Sequence, residues 1–154
     1  MLQPGQIAPN FSCADADMEI ARLADYKGRM HVVLYFYKRD SAPSCTQANI
    51  EFSDLAASFA AHECVLVGVS RDDCLSHAAF RDLHGINARL LADKDAIVCR
   101  KYGVLHDKVI DGVTRKSVLR STFIIDKHGI LRHVFYDVAS KGHAQEVLAL
   151  VKQL

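Results

Sequence analysis

Continuous apolar runs and helical apolar stripes alternate along most of this chain. Val32–Tyr37 (VVLYFY) and Cys64–Val69 (CVLVGV) are unbroken apolar runs, the pattern of strands buried on both faces. Between them Ala48, Phe52, Leu55 and Phe59 share one face of a helix over Cys45–Ala61, so the three segments predict a parallel βαβ unit. Asp72–His84 carries Leu75, Ala79, Phe80 and Leu83 at helical spacing, with Gly85 placed as its stop. Leu90–Leu91 predicts a short strand, and a helical piece over Asp95–Tyr102 ends in Gly103. After an insert, Ser121–Asp126 and Ile130–Tyr136 flank Lys127-His128-Gly129, a hairpin signal. A final helix over Gly142–Lys152 turns Ala144, Val147, Leu148 and Val151 inward. Residues 1–28 read as an irregular N-terminal arm with extended pieces around Phe11–Cys13 and Glu19–Leu23. The order predicts an α/β fold, one domain over residues 1–154, with helices flanking a central sheet.

Composition narrows the function classes. Half of the 154 residues are hydrophobic and 24% are charged, as in ordinary globular proteins. A net charge of +1 gives no basic footprint for nucleic acid, and no polybasic segment argues for a membrane. The N-terminus MLQPGQIAPNF has neither the charged nor the apolar region of a signal peptide, and no run approaches the ~20 apolar residues of a membrane span. The expected setting is cytoplasmic. Five cysteines, an odd count without a secretory signal, argue against a structural disulfide framework. There is no CxxC pair, which speaks against a dithiol oxidoreductase acting on protein disulfides. Cys74-x-x-His77 has a metal-like spacing, but no second pair accompanies it, so no metal and no other cofactor is expected.

The informative cysteine is Cys45, at a strand-to-helix junction after the loop Lys38–Ser44 (KRDSAPS). A thiol in the first turn of a helix faces unpaired backbone N–H groups and the positive end of the macrodipole, and both favour the nucleophilic thiolate. Sites in open α/β sheets form beyond the carboxyl ends of the strands, where Cys45 lies. Cys74 follows the next strand and belongs to the same edge. Arg120 precedes the strand Ser121–Asp126 and reaches the site only if folding brings that strand end to it; an arginine there stabilises a thiolate. Cys64, in an apolar strand, and Cys13 read as inert buried thiols. His77 reads as a packed or solvated helix residue, and Lys38 and Arg39 as a solvated pair whose charge favours the Cys45 thiolate. A phosphatase-type loop is excluded, because Cys-x5-Arg would place arginine at Glu51.

Taken in order, GQIAPNF, VVLYFY-loop-CT, LVGVSRDD with SHAAF, LLADKD, YGV, RSTFIIDKHG and KGHAQEVL make the chain resemble the peroxiredoxins of the bacterioferritin-comigratory (Q) subfamily. The resemblance implies a thioredoxin-like fold with a central mixed sheet and an N-terminal extension. It also implies a thiol-dependent peroxidase in which Cys45 attacks hydrogen peroxide or an organic hydroperoxide and becomes a sulfenic acid. Arg120 maps to the family's site arginine, and backbone N–H groups at Ser44 and Thr46 are expected to add donors. Three positions depart from the family pattern: Lys38 replaces proline, Ala42 replaces threonine or serine, and Ala48 replaces glutamate. A lost oriented donor typically costs on the order of 10²–10³ in rate, so reduced efficiency is expected. Neither family position for a resolving cysteine holds one, since they fall on Ile50 and Arg81. Cys74, Cys99 or an external thiol then resolves the sulfenic acid, with thioredoxin, glutaredoxin or a small thiol as reductant. A monomer or weak homodimer is expected. The alternative is a degenerate relative acting as a redox sensor or binding protein with weak turnover.

Overall fold

The computed structural model describes residues 1–139 and 141–154. Its centre is a five-stranded mixed sheet in the order β5-β4-β3-β8-β9. Strands β3 (His31–Phe36), β4 (Cys64–Ser70) and β5 (Arg89–Ala92) run parallel, while β8 (Ser121–Ile125) lies antiparallel to β3 and β9 (Leu131–Phe135) antiparallel to β8. This is the thioredoxin-like arrangement. Two short strands, β1 (Ser12–Ala14) and β2 (Ile20–Arg22), pair in the N-terminal extension.

The period-2 pattern of the strands sorts their side chains into two cores. Val32, Leu34, Phe36, Val67, Val69, Phe123 and Ile125 face one layer, with Phe11 of the extension and α4 (Ile97–Lys101). Val33, Tyr35, Tyr37, Leu66 and Ile124 face the other. That second layer is covered by α1 (Pro43–Asp54), α2 (Ala56–Ala61), α3 (Cys74–His84) and α5 (His143–Val151). The inward residues expected for α5 are all buried.

Two expectations are corrected, and the insert takes a definite form. The single helix over Cys45–Ala61 is two helices with a break at Leu55, whose N–H donates to the Phe52 carbonyl at 3.0 Å, three residues back, and so tightens the last turn of α1. The Ser53 hydroxyl accepts from the Asn87 N–H at 2.9 Å. On α3 the buried residues are His77 and Phe80, while Leu75 and Leu83 are 70% and 78% exposed. The insert is a hairpin of its own, β6 (Leu105–Ile110) with β7 (Val113–Val118). Its turn, Asp111-Gly112, has φ of 52° and 76°, the geometry for which an Asp-Gly pair is the sequence signal. Among the described residues no helix is long and apolar enough to cross a membrane.

Candidate active site

Helix α1 begins two residues before Cys45, with Ala42 as N-cap and Pro43 as its first residue. Proline suits that position because its missing N–H is not needed there. Ala42 offers no side-chain cap. The Cys45 and Thr46 N–H groups both donate to the Ala42 carbonyl, at 3.0 and 2.9 Å. Thr46 is therefore not the free backbone donor expected of it, because the helix ladder has already taken that proton. Its hydroxyl works locally, donating within 3.2 Å of the carbonyls of Asp40 and Ala42 and closing the loop onto the helix. The Ser44 N–H makes no hydrogen bond among the described residues.

Cys45 has no exposed surface and packs in the layer of Tyr35, Tyr37 and Phe52. Its carbonyl accepts from Asn49 Nδ2 at 3.0 Å, and Asn49 Oδ1 accepts from the Tyr35 hydroxyl at 2.6 Å. Tyr35 stacks on Phe52 with ring centroids 4.5 Å apart and pairs in register with Gly68. A Cβ on Gly68 would fall 2.8 Å from Tyr35 Cζ and 2.9 Å from its hydroxyl oxygen. Glycine is what lets the tyrosine cross β4 and hold Asn49. Asn49 carried no functional signal in the sequence beyond helix periodicity.

The antiparallel pairing of β8 with β3, Ser121 opposite Phe36, brings the start of β8 to the carboxyl end of β3. Arg120 thus meets the Cys45 turn: its Nη2 donates to Ser44 Oγ at 3.0 Å. Its Nε is buried and has no hydrogen-bond partner among the described residues.

The loop before Cys45 is fixed from the other side by Asp40, which is buried. Its carboxylate accepts from Tyr37 Oη at 2.7 Å and from Ser76 Oγ at 2.8 Å, and its backbone N–H donates to Asp72 Oδ2 at 3.0 Å. His77, fully buried rather than solvated, places Nδ1 2.9 Å from Asp40 and Nε2 2.9 Å from the Leu91 carbonyl. A carbonyl only accepts, so Nε2 carries a proton and donates to Leu91, which leaves Nδ1 facing the Asp40 carboxylate. Burial opposes ionisation of Asp40, but the bonds from His77, Tyr37 and Ser76 outweigh it and hold the carboxyl below its usual value. Tyr37 stays protonated, pushed up by burial and by the Asp40 charge. Asp40, Asp72 and His77 bring ligand-type atoms within 4.8 Å of one another, yet these groups are occupied by the bonds just described.

The other thiols divide by layer. Cys74 opens α3, half-buried, on the same sheet edge as Cys45. Cys99 is buried in the opposite layer with Cys13, so the sheet stands between it and Cys45, and this placement removes the geometric basis for Cys99 as a resolving partner. Burial, with help from Asp93 and then Cys74, raises the Cys13 thiol to about 12; burial raises Cys64 to about 12, and burial with Asp93 raises Cys99 further. These three are protonated and poorly nucleophilic at neutral pH.

A thioredoxin-like sheet with a lone cysteine in the first turn of the helix after its first core strand, and an arginine delivered by an antiparallel neighbour, defines a thiol-dependent peroxidase. Residues 4–134 match the AhpC/TSA family, and the chain belongs to that family. Within it the chain falls in the Bcp, or peroxiredoxin Q, subfamily. It is 40% identical over 147 residues to the bcp protein of Helicobacter pylori strain J99, covering 96% of each chain. It is 35% identical over 153 residues to peroxiredoxin Bcp of Bacillus subtilis strain 168, covering 99% of this chain and 97% of that one. A structure of the bacterioferritin comigratory protein of Xanthomonas campestris, from work on its alkyl peroxide reduction activity, superposes with a TM-score of 0.88 at 30% identity, covering 93% of this chain and 90% of that one. A cysteine-to-serine mutant of PrxQ from Xylella fastidiosa superposes at 0.92 and 30% identity, covering 99% and 97%. The protein is a peroxiredoxin that takes a peroxide substrate and a thiol reductant; these relatives do not favour the sensor reading.

Proposed function

We propose that Cys45 is the peroxidatic nucleophile and Arg120 its electrostatic partner in reducing hydrogen peroxide and organic hydroperoxides. The observation that carries this is the Arg120 side chain, bonded to the residue before Cys45 while its buried Nε keeps an uncommitted donor. A buried donor without a partner is costly in the resting protein and is satisfied when an oxyanion arrives.

The Cys45 thiolate attacks the terminal peroxide oxygen; the S–O bond forms as the O–O bond breaks. The departing alkoxide takes a proton and leaves as alcohol, or as water from hydrogen peroxide. Sulfur is oxidised to sulfenic acid and the peroxide is reduced. A second thiol then attacks the sulfenic sulfur, expels hydroxide that is protonated to water, and leaves a disulfide for the reductant. Cys74 suits the intramolecular route because it shares the sheet edge of Cys45. An external small thiol, thioredoxin or glutaredoxin serves otherwise. Five unpaired thiols fit a reducing cytoplasm, and a monomer or weak homodimer completes the reading.

Peptide-mapped mass spectrometry of the reduced protein after about one equivalent of hydrogen peroxide tests this. Oxidation concentrates at Cys45, and a disulfide to Cys74, if formed, names the resolving thiol. Oxidation spread over all five cysteines, or unchanged peroxide turnover in Cys45→Ser, rejects the reading.

A further inference from the structure

Beside the peroxidatic loop lies a cavity of about 480 Å³ whose walls are strongly cationic. Lys38, Arg39, Arg71, Lys94, Lys108, Arg115 and Lys116 line it, and no acidic residue does. Only Lys116 is paired among the described residues, with Asp107 of the same hairpin at 2.6 Å. The whole chain carries 19 basic and 18 acidic residues, for a net charge of +1. Seven cations in one cleft are therefore a segregation of charge, not a consequence of composition. Three separate chain regions contribute: the Cys45 loop, the ends of β4 and β5 through Arg71 and Lys94, and the β6–β7 hairpin. Like charges gathered this way repel one another, and an anion between them removes that repulsion. The cavity volume is in the range of small-molecule sites.

We infer that this cleft binds a small organic anion, carboxylate or phosphate, carried by a co-reactant of Cys45. The inference rests on the peroxidase reading and adds the charge class of its substrate or reductant. Ala42, the N-cap of α1, forms part of the wall, so a molecule anchored there lies against the turn that holds Cys45. The anion belongs either to the hydroperoxide, which donates oxygen to the thiolate, or to the thiol, which attacks the sulfenic sulfur. The recognition chemistry is the same in both.

The test uses the intact protein, a Lys108→Glu/Arg115→Glu variant confined to the hairpin, and an Arg29→Glu control remote from the cleft. Calorimetric titration with inorganic pyrophosphate gives binding that weakens at least ~10-fold in the hairpin variant and with added salt, and is unchanged in the control. Absence of binding, or equal binding in the hairpin variant, overturns the inference. Two kinetic arms assign the occupant. Preference for a carboxylated over a neutral hydroperoxide, lost in the hairpin variant, places the anion on the peroxide. Preference for glutathione over 2-mercaptoethanol, lost likewise, places it on the thiol. Preference in neither arm rejects a co-reactant. Turnover of neutral peroxide with neutral thiol reports on the peroxidase reading separately, and the Arg29→Glu control retains it.

Discussion

Asp40 and His77, 37 residues apart in sequence, meet at 2.9 Å and tie the loop before Cys45 to the helix that begins at Cys74. Asp40 is held ionised below its usual value of 3.8. A carboxylate whose folded pKa is depressed contributes stability above its unfolded pKa and loses it as pH falls through the folded value. Asp40→Asn is therefore less stable than wild type at pH 7, by about 1–3 kcal/mol. The gap begins to narrow as pH falls below the ordinary value of 3.8 and closes only beneath the depressed folded value. Urea denaturation at pH 7 and at pH 3 measures both; an equal gap at the two pH values would contradict the assignment.

Gly68→Ala puts a methyl into Tyr35 and Leu90, with approaches of 2.8 and 2.9 Å. The expected cost is about 1–3 kcal/mol. Displacing Tyr35 also frees Asn49 from its hold on the Cys45 carbonyl, so the rate of Cys45 oxidation by hydrogen peroxide falls. Tyr35→Phe should reproduce the rate effect with no overpacking. Thermal denaturation and stopped-flow oxidation separate the two contributions.

Ala42→Thr supplies the side-chain cap that α1 lacks. It stabilises the protein by about 0.5–2 kcal/mol and speeds peroxide reduction by about 10²-fold, the lower end of what one oriented donor contributes. Denaturation midpoints and second-order rate constants check the two effects independently. A stabilised protein with an unchanged rate would confine residue 42 to capping.

Arg120→Lys keeps the charge and loses the planar donor set that serves Ser44 and leaves Nε available. Arg120→Ala loses both. Peroxide reduction should fall by about 10²-fold or more in the alanine variant and by less in the lysine variant, with thermal stability nearly unchanged. Equal losses would mean that geometry rather than charge is the contribution of Arg120.

The frame of the fold and the place of the candidate nucleophile in it were legible because each depends on local pattern. Apolar runs marked the core strands, glycines marked the ends of α3 and α4, and the strand-to-helix junction marked Cys45. Arg120 was marked by the family resemblance rather than by local pattern, and the antiparallel register brings its end of β8 to the Cys45 turn. What stayed hidden depends on residues far apart in sequence. His77 lies inward because Asp40 and the Leu91 carbonyl give its ring nitrogens partners, and no periodicity rule anticipates a polar residue displacing Leu75 and Leu83 from the buried face. The β6–β7 hairpin escaped because its strands are mostly exposed and polar, leaving only the Asp111-Gly112 turn as a clue. Thr46 looked like a free donor because helix ends usually have them; here Ala42 accepts twice.

Cys45 has no exposed surface, yet the proposed cycle requires a second sulfur to reach it. A bulky maleimide meets the same obstacle, so it labels Cys45 only in moments when the first turn of α1 has opened. The labelling rate of the folded protein is therefore a stopwatch for that opening. Substitutions that lock the turn should lengthen the recorded interval even when they quicken the encounter with peroxide.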